Sequence, residues 1–547
     1  MTAAPDVTVV IAVYNTMPYL VECLESLTAQ SIGRKKLEIV AVDDGSTDGS
    51  GEELDRWAAR YPGTIKVVHQ ENSGGPAAPS NRALDLATGR YVFFIGSDDH
   101  LGKEALKRLV DCADTHTSDV VVGKMVGTNG RYVHQALYRS NDPDVSLYDS
   151  ALPFTLANTK LFRRELIERH KLRFPEDLPV GSDQPFTIEA CVRARKISVV
   201  ADYTCYYAVK RGDAGNITYR ADHLARLHCT ERIMRHTAGL IEAGPRRDAV
   251  LKRHFTWELT KLVQGPDFAA LDSAVQYRLC NGIAQLADEY LTEPLNESLG
   301  VQARVRIALA RRGDVRLLKQ ANEAEAPGAA VPFVLEGERT YARYPGFRDA
   351  LAGLDDELFR LNDEAVPKRI ADGTRLAAAG WEQNGDDMAV SLAVRVPVTG
   401  TPESLAAVAL RLVPKAFSKA SDKTGARRMP EADTVPPTDA LITREPDEDG
   451  TGTVLRVTFP LPATRVRTHP RVFLTLGGIR HEVAVAVGET PLPLARRWRE
   501  KVPYRVSANA TPNGRLMITT APLWGPEVSV SGRVRQVMSR VKRKMSR

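Results

Sequence analysis

No stretch of the 547 residues reaches the roughly 18 consecutive apolar positions that crossing a bilayer requires. The most apolar run near the start, residues 7–14, is too short and follows no basic leader, so it reads as a buried strand rather than a signal peptide. Cysteine is scarce: Cys23, Cys112, Cys191, Cys205, Cys229 and Cys280 lie far apart, with no CxxC pair. That excludes zinc-finger spacing and a disulfide framework, and predicts a reducing, cytoplasmic setting. Internal repeats and low-complexity tracts are also missing, which excludes solenoids, collagen-like chains and wholesale disorder. A dinucleotide fingerprint is absent, because the first β-branched run ends in Tyr14-Asn15-Thr16 rather than in GxGxxG. The stretch Gly96 to Glu104 has the look of a phosphate loop but fails as one. It has one residue too many between its glycines, and Glu104 stands where Ser or Thr would meet Mg²⁺.

What is present is the composition of a soluble globular chain, 43% hydrophobic and 26% charged, long enough for several domains. The net charge of +6 is local: residues 531–547 hold seven basic side chains and no acid, leaving a net charge of −1 on residues 1–530. The body therefore gives no argument for nucleic acid. In the tail, Val534, Val537, Val541 and Met545 recur at intervals of three and four among the basic residues. This pattern suits a helix lying on an anionic membrane face, and equally a frayed, solvated terminus.

Up to about residue 125, short apolar runs (7–13, 37–42, 65–69, 91–95, 120–122) alternate with helical periods (19–30, 52–61, 81–87, 103–113). That alternation predicts an α/β fold with a doubly wound, mostly parallel sheet over 1–220. Residues 221–330 read as helical, with periods at 251–263 and 275–291 and a linker at 321–332. A helical connector is expected over 331–375, including 346–362. Period-two runs at 388–396, 454–459, 472–476, 482–487 and 516–519 predict an all-β, sandwich-like domain over 376–525, with a long polar loop at 415–437.

In an open parallel sheet, ligands bind outside the carboxyl ends of the strands, where strand order reverses. Those ends read Ala12-Val13-Tyr14-Asn15, Val42-Asp43-Asp44-Gly45-Ser46-Thr47-Asp48, Gln70-Glu71-Asn72-Ser73-Gly74-Gly75-Pro76 and Ile95-Gly96-Ser97-Asp98-Asp99. Two acid pairs at neighbouring strand ends repel each other unless a hard divalent cation and a phosphate-bearing ligand neutralise them. Taken singly, Tyr14 reads as a strand-end aromatic and Asp44 as a helix cap.

The series of motifs over residues 5–220, closed by Gly181-Ser182-Asp183-Gln184, resembles the family 2 glycosyltransferases of the GT-A fold. The resemblance implies transfer of a sugar from a UDP-sugar to a hydroxyl, with inversion and with Mn²⁺ or Mg²⁺. It implies that Tyr14 stacks on uracil, that Asp44 accepts the base N–H, and that Ala12, Asn72 and Gly74 line the nucleotide-sugar site. Asp98 aligns with the metal ligand. Asp99 beside it is either a ribose contact or a support behind the metal ligand, and because the family's first motif acid is replaced by Gly96, the ribose contact falls to Ser97 or the Gly96 backbone. Where relatives have an Arg-Asn pair, this chain has Ser80-Asn81 followed by Arg82, a candidate diphosphate contact or a solvated helix arginine. Asp183 takes the place of the catalytic base, with Ser182 in place of the common Glu, and also suits an N-cap. Residues 206–218 resemble a lid whose Arg211, or Lys210, reaches the diphosphate.

The order of catalytic, helical and β regions is similar to bacterial wall teichoic acid glycosyltransferases. It implies an anionic polymer acceptor, a homo-oligomer (a trimer by analogy) and a cytoplasmic enzyme at the inner membrane face, tethered through 531–547. Capsule or exopolysaccharide assembly on a lipid-linked acceptor, and a non-catalytic glycan-binding scaffold, are the alternatives. Retention of both Asp98 and Asp183 speaks against the scaffold, which needs neither.

Overall fold

The computed structural model describes residues 4–212, 222–326, 331–337, 339–361, 366–384, 387–401, 404–405, 408–414, 442–461, 466–476, 479–492, 494–499 and 502–522. The polar loop expected at 415–437 and the basic tail at 531–547 lie outside them.

The chain forms two compact units, Met1–Leu299 with Arg306–Leu318, and Gly300–Val305 with Lys319–Arg547. The first is built on an eight-stranded sheet of β1 (Val7–Val13), β2 (Leu37–Asp43), β3 (Ile65–His69), β4 (Tyr91–Gly96), β5 (His100–Leu101), β6 (Val120–Thr128), β7 (Leu161–Arg163) and β8 (Ile197–Val209), in the order β3-β2-β1-β4-β7-β6-β8-β5. Pairs β1/β2, β1/β4, β2/β3 and β6/β8 are parallel, whereas β7 and β5 pair antiparallel. The doubly wound sheet is thus mixed, parallel through β3-β2-β1-β4 and again at β6/β8. Strand order reverses between β1 and β4, so their carboxyl ends open a crevice.

The apolar runs form strands because both faces are covered. Val9, Ile11 and Val13 of β1 enter one core layer while Val10 enters the other. The helix α1 (Tyr19–Thr28) buries Leu20, Cys23, Leu24 and Leu27, a helical stripe, in the first layer. Helices α2 (Ser50–Arg60), α3 (Ala77–Asp85) and α4 (Ala105–His116) follow their strands as expected. Between β4 and α4, His100–Leu101 pairs with β8, and Glu104 rather than Asp98 or Asp99 is the N-cap of α4.

Helices α5 (Arg164–His170) and α6 (Asp183–Arg193) precede β8, and a helical region runs from α7 (His223–Leu240) to residue 324. Its expected helix at 251–263 is interrupted by a π turn, His254–Glu258. Asp222 caps α7 by accepting from the Ala225 N–H at 2.8 Å. Among the described residues, no helix is long and apolar enough to cross a membrane.

The second unit holds three sheets. One is formed by β9 (Phe333–Glu336), β10 (Arg339–Ala342) and β13 (Val398–Gly400). Another contains β11 (Arg375–Asn384), β12 (Asp387–Val396), β15 (Thr443–Pro446) and β16 (Thr453–Leu461). The third contains β14 (Val408–Pro414), β17 (Val466–Leu476), β18 (Ile479–Ala484), β19 (Leu494–Arg499), β20 (Val502–Ala510) and β21 (Leu516–Pro522). The helical connector expected over 331–375 is therefore corrected. Two strands open it, 346–362 carries only a 3₁₀ turn at Asp356–Phe359, and one helix follows at Val366–Gly373. Gly346 and Gly353 take φ of 91° and 55°, which ends any helical run there.

Candidate active site

The carboxyl ends of β1 and β4 and the start of α6 enclose a cavity of about 230 Å³ lined by Ala12, Ser80, Gly96, Asn158, Ser182 and Asp183 among others. Four phenylalanines lie beneath it. Phe174 stacks on Phe186 at 4.3 Å, and Phe94 meets both edge-on, with Phe162 against Phe94 and Phe186. Phe186 follows Asp183 by three positions, one helical turn, so the aromatic cluster fixes the helix end that carries the carboxylate.

Asp183 is the first residue of α6, whose N-cap is Ser182, which corrects the expected helix start at Phe186. Burial pushes its carboxyl above the ordinary range, while the cations Arg253 and Lys160 pull it back. Lys160 is 1% exposed. Its ammonium donates to the carbonyls of Thr155 and Ala157, and burial pushes it down to about 8. Behind α6, the His254 Nε2 lies 3.2 Å from the side-chain amide oxygen Oε1 of Gln184. Burial pushes His254 down to about 4, which leaves it neutral at pH 7. Sequence reasoning missed Lys160, Arg253 and His254.

At the β2 end, Asp44 is buried and does not cap α2, whose N-cap is Gly49. Its carboxylate instead accepts from the Gln70 amide at 2.6 Å, the Ser73 N–H at 3.1 Å and the Ser73 hydroxyl at 2.9 Å. Asn72 donates to the Asp44 carbonyl and accepts from the Gly74 N–H, each at 3.0 Å. The loop after β3 is thereby latched onto β2. Gly45 belongs to the latch, since a Cβ there would stand 2.9 Å from the Asn72 nitrogen. Arg82 donates to Gln70 at 3.4 Å, which joins it to the Asp44 group. Asn81 is a structural tie: its amide donates to the Phe174 carbonyl and to Glu176, each at 2.9 Å.

Tyr14, at the end of β1, is 41% exposed. The next residue, Asn15, adopts φ 50° and accepts from Thr47 N–H at 2.8 Å. Arg211 donates to the Asn15 carbonyl at 3.1 Å and lies 5.5 Å over the Tyr19 ring. The start of the expected lid thus folds back on the β1 end, while residues 213–218 of that lid lie outside the described residues.

At the β4 end, Ser97 and Asp99 are buried and Asp98 is half-buried. Asp99, expected either to contact the ribose or to support Asp98 from behind, is engaged within the fold. Its carboxylate is occupied by the Tyr206 hydroxyl at 2.6 Å, the Val209 N–H at 2.7 Å and Arg131 at 3.4 Å. Burial and the neighbouring Asp98 charge push it well above the usual carboxylate range. Tyr206 also accepts from the Gly96 N–H at 3.0 Å. A Cβ on Gly96 would lie 2.9 Å from Asp99 and 3.1 Å from Asp98, so both carboxylates turn back over a position that only glycine leaves open. Tyr206 and Arg131 are further residues that sequence reasoning missed in this role.

Among the described residues, no group of three or more His, Cys, Asp and Glu side chains is placed to hold a metal unaided. A divalent cation nevertheless fits the site. Asp98 is a hard oxygen donor beside the crevice, its charge already strains Asp99, and a diphosphate completes such a shell.

Residues 8–171 match the glycosyl transferase family 2 model, and residues 228–322 match that of the glycosyl transferase TarS linker domain. The chain is 33% identical over 364 residues to a poly(ribitol-phosphate) beta-glucosyltransferase of Bacillus spizizenii, covering 65% of this chain and 56% of the relative. It is 40% identical over 204 residues to the poly(ribitol-phosphate) beta-N-acetylglucosaminyltransferase TarS of Staphylococcus aureus, covering 37% of this chain and 35% of TarS. The chain therefore spans about half, or less, of the length of these curated relatives. The crystal structure of S. aureus TarS 1-349 in complex with UDP-GlcNAc matches with a TM-score of 0.53 at 29% identity, over 62% of this chain and 97% of that one. The crystal structure of S. aureus TarS matches with a TM-score of 0.56 at 21% identity over 95% of this chain and 86% of that one, a likeness of fold that takes in the second unit.

Proposed function

We propose, from the match of residues 8–171 to the glycosyl transferase family 2 model, that the chain is such an enzyme and transfers a sugar from a UDP-sugar to a hydroxyl of poly(ribitol-phosphate), the polymer of wall teichoic acid. The observation that carries this reading is the cavity joining the β1 and β4 ends to Asp183, in a chain that also matches the TarS linker domain. That match favours the polyol-phosphate acceptor over the exopolysaccharide alternative.

Asp183 acts as the general base, taking the proton of the acceptor hydroxyl as it attacks the anomeric carbon in a single inverting displacement. Its raised proton affinity suits that role, and Arg253 and Lys160 act against the rise. Tyr14 offers an exposed ring to the uracil. Asp44, with Asn72 and Gly74 in the latched loop, recognises the base edge. Ala12 and Ser97 border the ribose and sugar, and Arg82 and Arg211 supply positive charge towards the diphosphate. Asp99 serves from behind, by holding Tyr206 and the strand end. Asp98 would hold a Mn²⁺ or Mg²⁺ ion, which when bound neutralises charge on the leaving diphosphate. The enzyme works in the cytoplasm, at the membrane face where such polymers are assembled.

UDP release is to be measured with UDP-glucose and UDP-N-acetylglucosamine, poly(ribitol-phosphate) and Mn²⁺. Asp183→Asn should lose transfer by about 10²-fold or more while still binding UDP. Near-normal turnover of that variant removes the base assignment. A wild-type chain that glycosylates a lipid-linked glycan and not the polymer removes the acceptor assignment.

A further inference from the structure

The cavity beside Asp183 holds more than a general base requires. Of the residues lining it, Asp183 is the only charged one. Its floor is apolar: Val10, Phe94 and Phe174 are at most 3% exposed, and Pro179 and Val180 close one side. Three neutral polar side chains, Ser80, Asn158 and Ser182, also line it. Ser80 and Ser182 are buried, Asn158 is half-buried, and the Ser182 hydroxyl makes no cap bond to α6. Among the described residues, no hydrogen bond engages the hydroxyls of Ser80 and Ser182 or the side-chain amide of Asn158. Buried polar groups without partners cost free energy, so two hydroxyls and an amide around one cavity point to a ligand that pairs with them.

Two of the lining positions are those at which this chain departs from its family's motifs. Ser80 stands where relatives have arginine, and Gly96 where they have an acid. Two small neutral residues thus replace a pair of opposite charges, which leaves the cavity open and, Asp183 apart, uncharged. In an inverting transfer the anomeric carbon lies between the diphosphate it leaves and the base that activates its attacker. Gly96, on the turn that leads to Asp98, and Asp183 both border the cavity, so a donor held between them has its reacting carbon beside it. The substituent on C2 is one bond from that carbon.

We propose that this cavity receives the C2 substituent of the donor and selects an acetamido group there, so that the chain uses a 2-acetamido-2-deoxy sugar in preference to its C2-hydroxyl counterpart. The proposal rests on the reading of the chain as a UDP-sugar transferase. An acetamido group offers one N–H donor, one carbonyl acceptor and a methyl. The serine hydroxyls and the Asn158 amide match the first two, and Val10, Phe94 and Phe174 match the methyl. A hydroxyl at C2 is too short to cover the apolar floor, and a charged ammonium is penalised by it.

The test measures Kd by calorimetry on the full chain with Mn²⁺ for two donor pairs that differ only at C2. These are UDP-N-acetylglucosamine against UDP-glucose, and UDP-N-acetylgalactosamine against UDP-galactose; kcat/KM for transfer to poly(ribitol-phosphate) follows. In at least one pair the acetamido member should bind about ten-fold or more tightly and be preferred about 10²-fold in kcat/KM. Ser80→Leu, which fills the cavity, should bring the binding ratio in that pair to about three-fold or less, with the Kd for UDP alone reporting that the site is formed. Asn158→Ala, which removes one hydrogen-bonding group from a loop, should lower the ratio by about five-fold. If Ser80→Leu no longer binds UDP, Asn158→Ala decides. The proposal is overturned if neither pair shows a preference for the acetamido member, or if the variants that bind UDP keep the wild-type ratio. A preference in binding without transfer to the polymer keeps the cavity assignment and removes the acceptor reading. A chain that binds neither UDP nor any of the four donors removes the UDP-sugar reading and the proposal with it.

Discussion

At Asp183, desolvation and two cations, the buried Lys160 and the half-buried Arg253, act in opposite directions, and the balance decides whether the carboxylate is ready to take a proton. Lys160 is the cation whose removal is cleanest, because it lies in the core and touches only backbone carbonyls among its hydrogen-bond partners. Lys160→Met removes a positive charge that lowers the proton affinity of Asp183, so that affinity rises. The acid limb of the pH–rate profile should move to higher pH by on the order of one unit, with the KM for UDP-sugar little changed. Two orphaned carbonyls should also cost about 1–3 kcal/mol of stability. A pH profile that stays in place would show that Lys160 serves only the loop. Asp183 was legible from the sequence because its neighbours form a motif. Lys160 was not, since a lone lysine near Thr155–Asn158 reads as solvated until the fold buries it. For Asp99 the sequence left two roles open, because adjacency to Asp98 does not reveal that its carboxylate turns back towards β8.

Among the elements, β8 does more than complete a sheet. Through Tyr206 it holds both the Gly96 amide and the Asp99 carboxylate, so the end of β4 is fixed from across the sheet. Tyr206→Phe should lower stability by about 1–2 kcal/mol in urea unfolding, since a buried carboxylate loses one of its donors. UDP affinity should fall with it as the Asp98 turn loosens. The first four strands and their helices were readable to within a few residues, because each buries both faces or one clean stripe. The helix expected over 346–362 failed because residues there answer to distant partners: Arg348 pairs with Glu336 and Asp356 and stacks on Phe347. Likewise β14, β19 and β20 interleave arginine with apolar residues, a pattern that gains meaning only once the register assigns each to a face. The π turn at His254–Glu258 left no mark in the helical period around it.

Over the whole molecule, the order of a mixed α/β sheet, helices and β sheets was legible from changes in hydrophobic period, whereas the boundaries of the compact units were not. Segments 300–305 and 306–318 fall in different units although they belong to a run of helices, so contact rather than sequence order draws the line. That division has a calorimetric consequence. Two units need not melt as one, and heat absorption should resolve into more than a single two-state transition. UDP with Mn²⁺ at about 100 times its Kd should add about 2.7 kcal/mol to the unit that binds it, and move that transition alone upward by a few degrees. A scan in which UDP shifts the entire trace together would mean that the chain unfolds as a single thermodynamic body.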